Sequence, residues 1–264
     1  MRALVVIPAR LGATRLPRKP LREIGGAPMV VRVWQRVANM GVGDRVVVAT
    51  DHPDIASVLR AAGADVVMTS PDCGSGTERV AHVARLPEFQ DYDAFVNVQG
   101  DEPFIGRECV RAAAEMVTSG RFPLGTSAAL AEPAIFDVPT IVKVVVGVDG
   151  RAMYFSRAPI PFLRDAADAP ARVPLTLQHI GVYAYTRAAL EQWLALPPHP
   201  LEDVERLEQL RPLAHGLAMG VAVVHERPEA GIDTDDDLAR ANARWSAFAA
   251  GDPVLAGATL QPST

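Results

Sequence analysis

Close to its amino terminus the chain reads Ala3-Leu-Val-Val-Ile7, an apolar run without polar alternation. Such a run predicts a strand that is buried on both faces, as the strands of a parallel sheet are. The next amphipathic segment, residues 29–39, places Val30, Val33 and Val37 on one face of a helix. A buried strand followed by an amphipathic helix is the repeating unit of an α/β fold.

The same alternation continues along the chain. It predicts further strands at residues 45–49, 65–68, 95–98 and 221–224, and further helices at residues 53–63, 77–86, 106–118, 186–196, 201–213 and 235–250. Extended segments at residues 141–148, 153–156 and 179–185 interrupt this pattern, and Asp149-Gly150 is a hairpin-turn signal. The stretch 159–174 is rich in Pro, Ala and Asp, which predicts an exposed loop.

These patterns predict a mostly parallel, doubly wound α/β sheet with helices on both faces. We expect a single domain over residues 1–250, with an inserted hairpin-rich lobe at about residues 127–185 and a loose tail at residues 251–264. In such sheets ligands bind at the carboxyl ends of the strands, so the polar segments that follow the strands are the candidates for chemistry.

Composition argues against several classes of protein. The 264 residues include 26 Lys and Arg against 31 Asp and Glu, a net charge of −5, which disfavours a nucleic-acid or membrane-surface binder. Cys73 and Cys109 lack metal-ligand spacing, so free thiols in a reducing compartment are expected. Because no apolar run reaches the ~18 residues of a membrane span and no signal peptide is recognisable, we expect a cytoplasmic protein.

The loop after the first predicted strand is strongly basic. Residues 8–22 contain five cations in a net-acidic protein, namely Arg10, Arg15, Arg18, Lys19 and Arg22. Guanidinium and ammonium groups bind phosphate oxygens, so the loop is a candidate for binding a triphosphate, while a solvated basic loop is the alternative. Its place at the end of a strand favours anion binding. The loop matches neither the P-loop nor the GxGxxG pattern.

Two acidic positions stand out in the sequence. Asp101 follows the predicted strand 95–98 through Gly100, which permits a sharp turn, although simple turn chemistry is the alternative. In the run 233–237, Thr234 and Asp237 have the spacing of a capping box for the helix that follows. Asp233 precedes that helix and is not needed as its cap. Mg²⁺ prefers such hard oxygen ligands and uses only one or two protein carboxylates.

Eight ordered segments resemble the 3-deoxy-D-manno-octulosonate cytidylyltransferase (CMP-Kdo synthetase) family. They are Pro8-Ala-Arg-Leu-Gly-Ala-Thr-Arg-Leu-Pro-Arg-Lys-Pro-Leu21, Ala49-Thr-Asp-His52, Ser75-Gly-Thr-Glu-Arg79, Asn97-Val-Gln-Gly-Asp-Glu-Pro103, Tyr154-Phe-Ser-Arg157, His179-Ile-Gly-Val-Tyr183, Pro200-Leu-Glu-Asp-Val-Glu-Arg-Leu-Glu-Gln-Leu210 and Gly231-Ile-Asp-Thr234. The resemblance spans residues 3–239 and implies a Rossmann-like nucleotidyltransferase fold. One departure is Arg18, where the family commonly has Gly.

The resemblance implies transfer of CMP from CTP to Kdo, an eight-carbon acidic sugar, with release of pyrophosphate for lipopolysaccharide synthesis. It implies that Asp101 and Asp233 hold Mg²⁺, with Asp235 as a weaker alternative to Asp233. Lys19, Asp101 and Asp233 would be the catalytic residues. The nucleotide would be bound by the basic loop and by the Ser-Gly-Thr-Glu-Arg segment, through Arg10, Arg15, Lys19, Ser75 and Arg79.

For the sugar, the matching residues are Gln99, Arg157, His179, Tyr183 and Glu208. Arg157 and His179 suit the carboxylate of the sugar, while Gln99 and Glu208 suit its hydroxyl groups. From the residues alone, Tyr183 could equally be a half-buried strand aromatic, and Glu208 could lie on a solvated helix face.

Other readings of the function stay open. A cytidylyltransferase for another acidic sugar, such as sialic acid or 8-amino-Kdo, would share the nucleotide half of the pattern. A non-catalytic nucleotide-binding protein would bind CTP without releasing pyrophosphate. The family is typically a homodimer formed through its inserted lobe, and the apolar residues 141–148 hint at the same here.

Overall fold

This computed structural model describes residues 1–12, 16–226, 228–229 and 231–256. Among them the strands are β1 (Ala3–Ala9), β2 (Glu23–Ile24), β3 (Ala27–Pro28), β4 (Arg45–Thr50), β5 (Val66–Met68), β6 (Ala94–Asn97), β7 (Leu124–Leu130), β8 (Lys143–Val146), β9 (Ala152–Ser156), β10 (Leu177–Thr186) and β11 (Met219–Val224). The helices are α1 (Met29–Ala38), α2 (Pro53–Ala61), α3 (Gly76–Arg85), α4 (Arg107–Thr118), α5 (Ala169–Arg172), α6 (Arg187–Ala195), α7 (Pro200–Glu205), α8 (Leu210–Ala214), α9 (Asp235–Gly251) and α10 (Pro253–Ala256). None of the described helices is long and apolar enough to cross a membrane.

Two compact units make up the chain. The amino-terminal unit consists of Leu4–Gln90, Asn97–Arg107 and the residues from Glu229 onward. The central unit consists of Met1–Ala3, Asp91–Val96 and Glu108–Pro228. The predicted lobe at about 127–185 falls inside the central unit, and the predicted single-domain organisation stays a prediction.

In the amino-terminal unit, β1 pairs with β4 and β4 pairs with β5, both in parallel. All seven residues of β1 are buried, as its uninterrupted apolar run predicts. The helices α1, α2 and α3 follow at the predicted positions, and Pro53 opens α2 at the first-turn position that suits a proline. The α/β class predicted from the sequence is therefore confirmed.

A separate apolar cluster lies beneath the basic loop of this unit. It joins Leu16 and Ile24 to Phe104 on the segment after β6, and to Leu238 and Trp245 of α9. Burying side chains from three distant parts of the chain fixes these segments to one another, because each buried apolar side chain stabilises by about 1.5–3 kcal/mol. The cluster thus holds the basic loop and the start of α9 in place.

The central unit is built on β10. This strand pairs antiparallel with β7 and β8, and β7 in turn pairs in parallel with β11. The strands β8 and β9 form an antiparallel hairpin whose turn contains Gly150 at φ +86°. The hairpin predicted from Asp149-Gly150 is confirmed.

Strand β7 was not predicted, since Gly125, Thr126, Ser127 and two alanines do not form an apolar run. Its first six residues are nevertheless buried. A Cβ on Gly125 would lie 2.6 Å from the carbonyl oxygen of Ala113 in α4, so the glycine allows the helix to pack directly on the strand. The position of β7 thus depends on close backbone packing against α4 rather than on a hydrophobic sequence pattern.

Three other predictions are wrong in detail. The helix expected at residues 201–213 is two short helices, α7 and α8, which are separated where Arg206 takes a left-handed conformation at φ +54°. The start of the expected loose tail is ordered, because Asp252 is buried in an ion pair with Arg36 and α10 follows it. Residues 257–264 lie outside the described residues. The stretch 159–174, expected as a loop, contains the four-residue helix α5.

Candidate active site

The site of the amino-terminal unit is centred on the ammonium group of Lys19. Its Nζ donates to Asp101 Oδ2 at 2.7 Å and to Asp233 Oδ1 at 3.0 Å. The Lys19 side chain is 8% exposed, whereas the Asp101 and Asp233 side chains are 42% and 49% exposed. A buried cation therefore underlies two carboxylates that stay accessible to a ligand from solvent.

The charge of Lys19 is maintained by this arrangement. Burial alone would lower the pKa of the Lys19 ammonium, but the charges and hydrogen bonds of Asp101 and Asp233 outweigh burial and raise the pKa. Lys19 is thus protonated at neutral pH. It offers three N–H donors, of which two are committed to the carboxylates.

Lys19 is oriented by an unusual backbone conformation next to it. Arg18 has φ +55° and ψ +31°, the left-handed region that favours glycine, and the short 3-10 turn Lys19–Leu21 begins directly after it. A glycine, which the resemblance leads us to expect at this position, would adopt this conformation without steric cost. The Arg18 guanidinium pairs with Asp54 Oδ2 at 2.6 Å, so the loop keeps its required turn although a side chain is present.

Asp101 is placed by the close approach of Gly100 to β1. A Cβ on Gly100 would lie 2.7 Å from the carbonyl oxygen of Pro8, a contact that a side chain cannot make. Glu102 N donates to the carbonyl oxygen of Gln99 at 3.3 Å, so the predicted turn through Gly100 and Asp101 is confirmed. Gly100 itself does not have a positive φ, so the turn does not require the conformational freedom of glycine. Its role is to let the segment bearing Asp101 lie against the first strand.

We expect Gly100→Ala to lower kcat/KM by at least about tenfold, because the added methyl group pushes the Asp101 segment away from Pro8, and misplacements of about 1 Å cost up to 100-fold. Overpacking should also lower the free energy of unfolding by about 1–3 kcal/mol. Steady-state kinetics and chemical denaturation measure the two effects. Gly251→Ala is the control, since a Cβ there meets nothing within 4 Å. Normal activity of Gly100→Ala would contradict this account of Asp101.

Asp233 lies just before α9, outside its capping box. Thr234 Oγ1 accepts from Asp237 N at 3.1 Å, and Asp237 Oδ2 accepts from Thr234 N at 2.9 Å, so the predicted capping box is confirmed. Asp233 is left to face Lys19, while Asp235 pairs with Arg22 at 2.7 Å. Of the two acids considered from the sequence, Asp233 is therefore the one that meets Asp101 at Lys19.

Of the other described cations in the basic loop, one is exposed and two form ion pairs with acidic side chains. Arg10 is exposed and its Nη1 donates to the carbonyl oxygen of Gly74 at 3.1 Å, next to Ser75. Arg18 pairs with Asp54, and Arg22 pairs with Asp235. Arg15 lies outside the described residues, so its predicted contact with the triphosphate stays a prediction.

Ser75 and Arg79 have structural partners in α3. Ser75 caps this helix, and its Oγ accepts from Glu78 N at 3.2 Å. Arg79 is 2% exposed; its guanidinium pairs with Asp51 at 3.1 Å and donates to the hydroxyl of Thr69. Arg79 thus ties α3 to the segments after β4 and β5, and the predicted nucleotide contacts of both residues stay predictions.

One acidic residue next to the site was missed from the sequence. Burial raises the pKa of Glu102 to about 8, and the charges of Asp101 and Asp233 add to this effect against that of Lys19. Glu102 is therefore mostly protonated at neutral pH and adds no full charge beside the two aspartates. In the sequence, Glu102 is marked only by its position directly after Asp101 in the segment 97–103.

The donor set fits a divalent metal ion. Asp101 and Asp233 direct oxygens to one cation, the ammonium of Lys19, and both remain partly exposed. Hard carboxylate oxygens, one or two per site, are what Mg²⁺ uses when phosphate and water complete its shell. No cluster of three or more metal-binding side chains occurs among the described residues.

Four of the five predicted sugar-binding residues belong to the central unit, and Gln99 belongs to the amino-terminal unit. Gln99 is half-buried, with its amide oxygen 3.8 Å from the position that a Cβ on Gly76 would take. Arg157 is half-buried at the end of β9, and Glu208 is half-buried between α7 and α8. Their roles toward a sugar stay predictions.

His179 and Tyr183 lie together on β10. Burial lowers the pKa of His179 to about 3, so the imidazole is neutral at physiological pH. Its Nε2 lies 2.9 Å from the hydroxyl of Thr126, and its ring is 5.4 Å from that of Tyr183. Tyr183 is buried and also contacts Trp193.

Comparison with known proteins identifies relatives over nearly the whole chain. The sequence model of a family described as cytidylyltransferase matches residues 4–219. A protein of Gemmatimonas aurantiaca named 3-deoxy-manno-octulosonate cytidylyltransferase is 60% identical over 245 residues, which cover 93% of this chain and 95% of the relative. One of the same name from Polynucleobacter asymbioticus is 46% identical, covering 90% and 93%.

A solved structure described as CMP:2-keto-3-deoxy-manno-octonic acid synthetase complexed with CTP has a TM-score of 0.85 and 36% identity. The match covers 94% of this chain and 99% of that one. A cytidylyltransferase structure from Leptospira borgpetersenii, at 17% identity and a TM-score of 0.60, shares the fold. With this extent and identity, the chain belongs to the 3-deoxy-manno-octulosonate cytidylyltransferase family.

Proposed function

We propose that this chain transfers the CMP group of CTP to the anomeric hydroxyl of Kdo, giving CMP-Kdo and pyrophosphate for lipopolysaccharide synthesis. The observation that carries the proposal is the convergence of Asp101 and Asp233 on Lys19, in a chain 60% identical to a protein named for this activity. Two open carboxylates over a buried cation suit a metal-assisted reaction of a polyphosphate.

In the proposed reaction the sugar hydroxyl attacks the α-phosphorus in line and loses its proton, a new P–O bond forms, and the bond to pyrophosphate breaks. Lys19 and Arg10 bind triphosphate oxygens and offset the charge that builds on the leaving pyrophosphate. Asp101 and Asp233 would hold Mg²⁺, which supplies charge neutralisation at the reacting phosphate when bound. Most of the catalysis assigned to the protein is positioning and electrostatics, so no side-chain nucleophile is needed.

The test is pyrophosphate release from CTP, Mg²⁺ and Kdo, with ATP and UTP as controls. We expect release with CTP and Kdo and little with the other nucleotides. A panel of acidic sugars, including sialic acid and 8-amino-Kdo, separates the neighbouring specificities. Binding of CTP without pyrophosphate release with any sugar would instead support the non-catalytic alternative and overturn the proposal.

We further propose a cytoplasmic homodimer. The support within the central unit is the β8–β9 hairpin, where Val148 and Met153 are exposed although apolar. We expect light scattering coupled to size exclusion to give twice the chain mass of 28.2 kDa, and Val148→Glu with Met153→Glu to shift it toward the monomer. A wild-type monomer at micromolar concentration would contradict the dimer.

A further inference from the structure

An ionic network outside the Lys19 site surrounds Arg157 in the central unit. The Arg157 guanidinium donates to three backbone carbonyls: Nε to Glu205 at 2.7 Å, Nη1 to Pro139 at 3.2 Å and Nη2 to Arg206 at 3.3 Å. An arginine has five such N–H donors, so these contacts commit three of them and fix the plane of the group.

The backbone of Arg157 is held as firmly as its side chain. Its N–H donates to Glu205 Oε2 at 2.9 Å, and its carbonyl oxygen accepts from Lys143 Nζ at 2.7 Å. The other carboxylate oxygen of Glu205 accepts from the hydroxyl of Ser156 at 2.6 Å. The backbone N–H and the carbonyl oxygen of Arg157 are therefore each hydrogen-bonded to a charged side chain, and such hydrogen bonds are stronger than those between neutral groups.

Lys143 extends the network into the core. It is fully buried, and its ammonium donates to the carbonyls of Val138 and Ile141 as well as to that of Arg157. An ammonium is costly to bury, and three short hydrogen bonds to carbonyls offset part of that cost. The result is a buried cation whose hydrogen bonds join the loop 138–141 to the end of β9.

We infer that Glu205 and Lys143 are positioning residues for the sugar: they hold Arg157 so that its guanidinium meets the carboxylate of the acidic sugar in one orientation. This rests on the proposed function and on the role predicted for Arg157. Glu205 contributes most directly, since its carboxylate and its carbonyl both bind Arg157, and since it ends α7 just before the left-handed Arg206. A guanidinium that is already fixed before the ligand arrives loses little side-chain entropy when it binds a carboxylate.

The test compares Glu205→Gln with wild type and with Glu202→Gln. Glu202 is a matched control, because it lies on the same helix, is also half-buried, and forms a bidentate ion pair with Arg211 at 2.6 and 2.7 Å. For Glu205→Gln we expect KM for Kdo to rise about tenfold with KM for CTP within twofold of wild type. Glu202→Gln should leave both KM values within twofold, although it loses a comparable ion pair.

Thermal unfolding of each variant separates positioning from loss of structure. Should Glu205→Gln fail to fold, Ser156→Ala decides the question, because it removes one hydrogen bond from the Glu205 carboxylate and should raise KM for Kdo about threefold. An unchanged KM for Kdo in the folded variant, a parallel rise in KM for CTP, or the same rise in Glu202→Gln would overturn the inference. If the wild type itself releases no pyrophosphate with Kdo, the proposed function fails before this comparison is made.

Discussion

Asp101→Asn is expected to lower kcat for pyrophosphate release by at least about 100-fold, which corresponds to roughly 2.7 kcal/mol of transition-state stabilisation. The substitution keeps the size of the side chain but removes one of the two negative charges that face Lys19. An amide oxygen is a weaker ligand for Mg²⁺ than a carboxylate, so the affinity for the ion should fall together with the rate.

Rate and metal affinity are measured separately. Titrating Mg²⁺ in the steady-state assay gives the concentration for half-maximal activity, and Mn²⁺ binding followed by electron paramagnetic resonance reports affinity without turnover. Asp235→Asn is the matched control, since Asp235 belongs to the same acidic run as Asp233 but is exposed and pairs with Arg22. We expect near-normal activity for it. Wild-type activity and wild-type metal affinity in Asp101→Asn would remove Asp101 from the metal site.

The contrast between Asp233 and Asp235 shows how much of the site could be predicted from sequence. Helix-capping rules assigned Thr234 and Asp237 to the start of α9, and the structure confirms that capping box. Once the cap was accounted for, Asp233 was the acid left outside the helix. Local rules of this kind work because the cap depends on residues only three positions apart.

The meeting of Lys19 with its partners was harder to predict. Lys19 lies 82 residues from Asp101 and 214 residues from Asp233 along the chain. The strand-end rule for α/β sheets could suggest the first contact, whereas only resemblance to a family suggested the second. The contact with Asp233 depends on packing of α9 through Leu238 and Trp245, which no local pattern encodes.

Some features had no usable sequence signal. Strand β7 lacks β-branched and aromatic residues except Thr126, and its burial follows from how closely α4 approaches Gly125. The break between α7 and α8 falls at Arg206, where the helical apolar pattern continues and no Gly or Pro marks a turn. Likewise, the elevated pKa of Glu102 arises from burial and two neighbouring charges, and burial of a single acid cannot be deduced from its neighbours in sequence.

Lys19→Met is expected to reduce kcat/KM for CTP by at least about 100-fold. Methionine resembles the aliphatic part of lysine in length and apolar character. The substitution therefore preserves the buried part of the side chain and removes only the charge. Without the ammonium, the two carboxylates of Asp101 and Asp233 face each other with no cation between them, and a triphosphate loses one of its cationic partners. Both effects oppose binding of a polyanion at this place.

Lys19→Met should lower kcat more than it lowers the affinity for CTP. Negative charge builds on the pyrophosphate as the bond to it breaks, and the proposed role of Lys19 is to stabilise that charge. Calorimetry of CTP binding without sugar, set beside kcat at saturating CTP, separates the two. The control is Arg22→Met, a cation of the same loop that is paired with the exposed Asp235, and it should change either quantity by less than about fivefold. If Lys19→Met bound CTP weakly but kept a normal kcat, Lys19 would contribute to binding alone, and the leaving-group role assigned to it would be wrong.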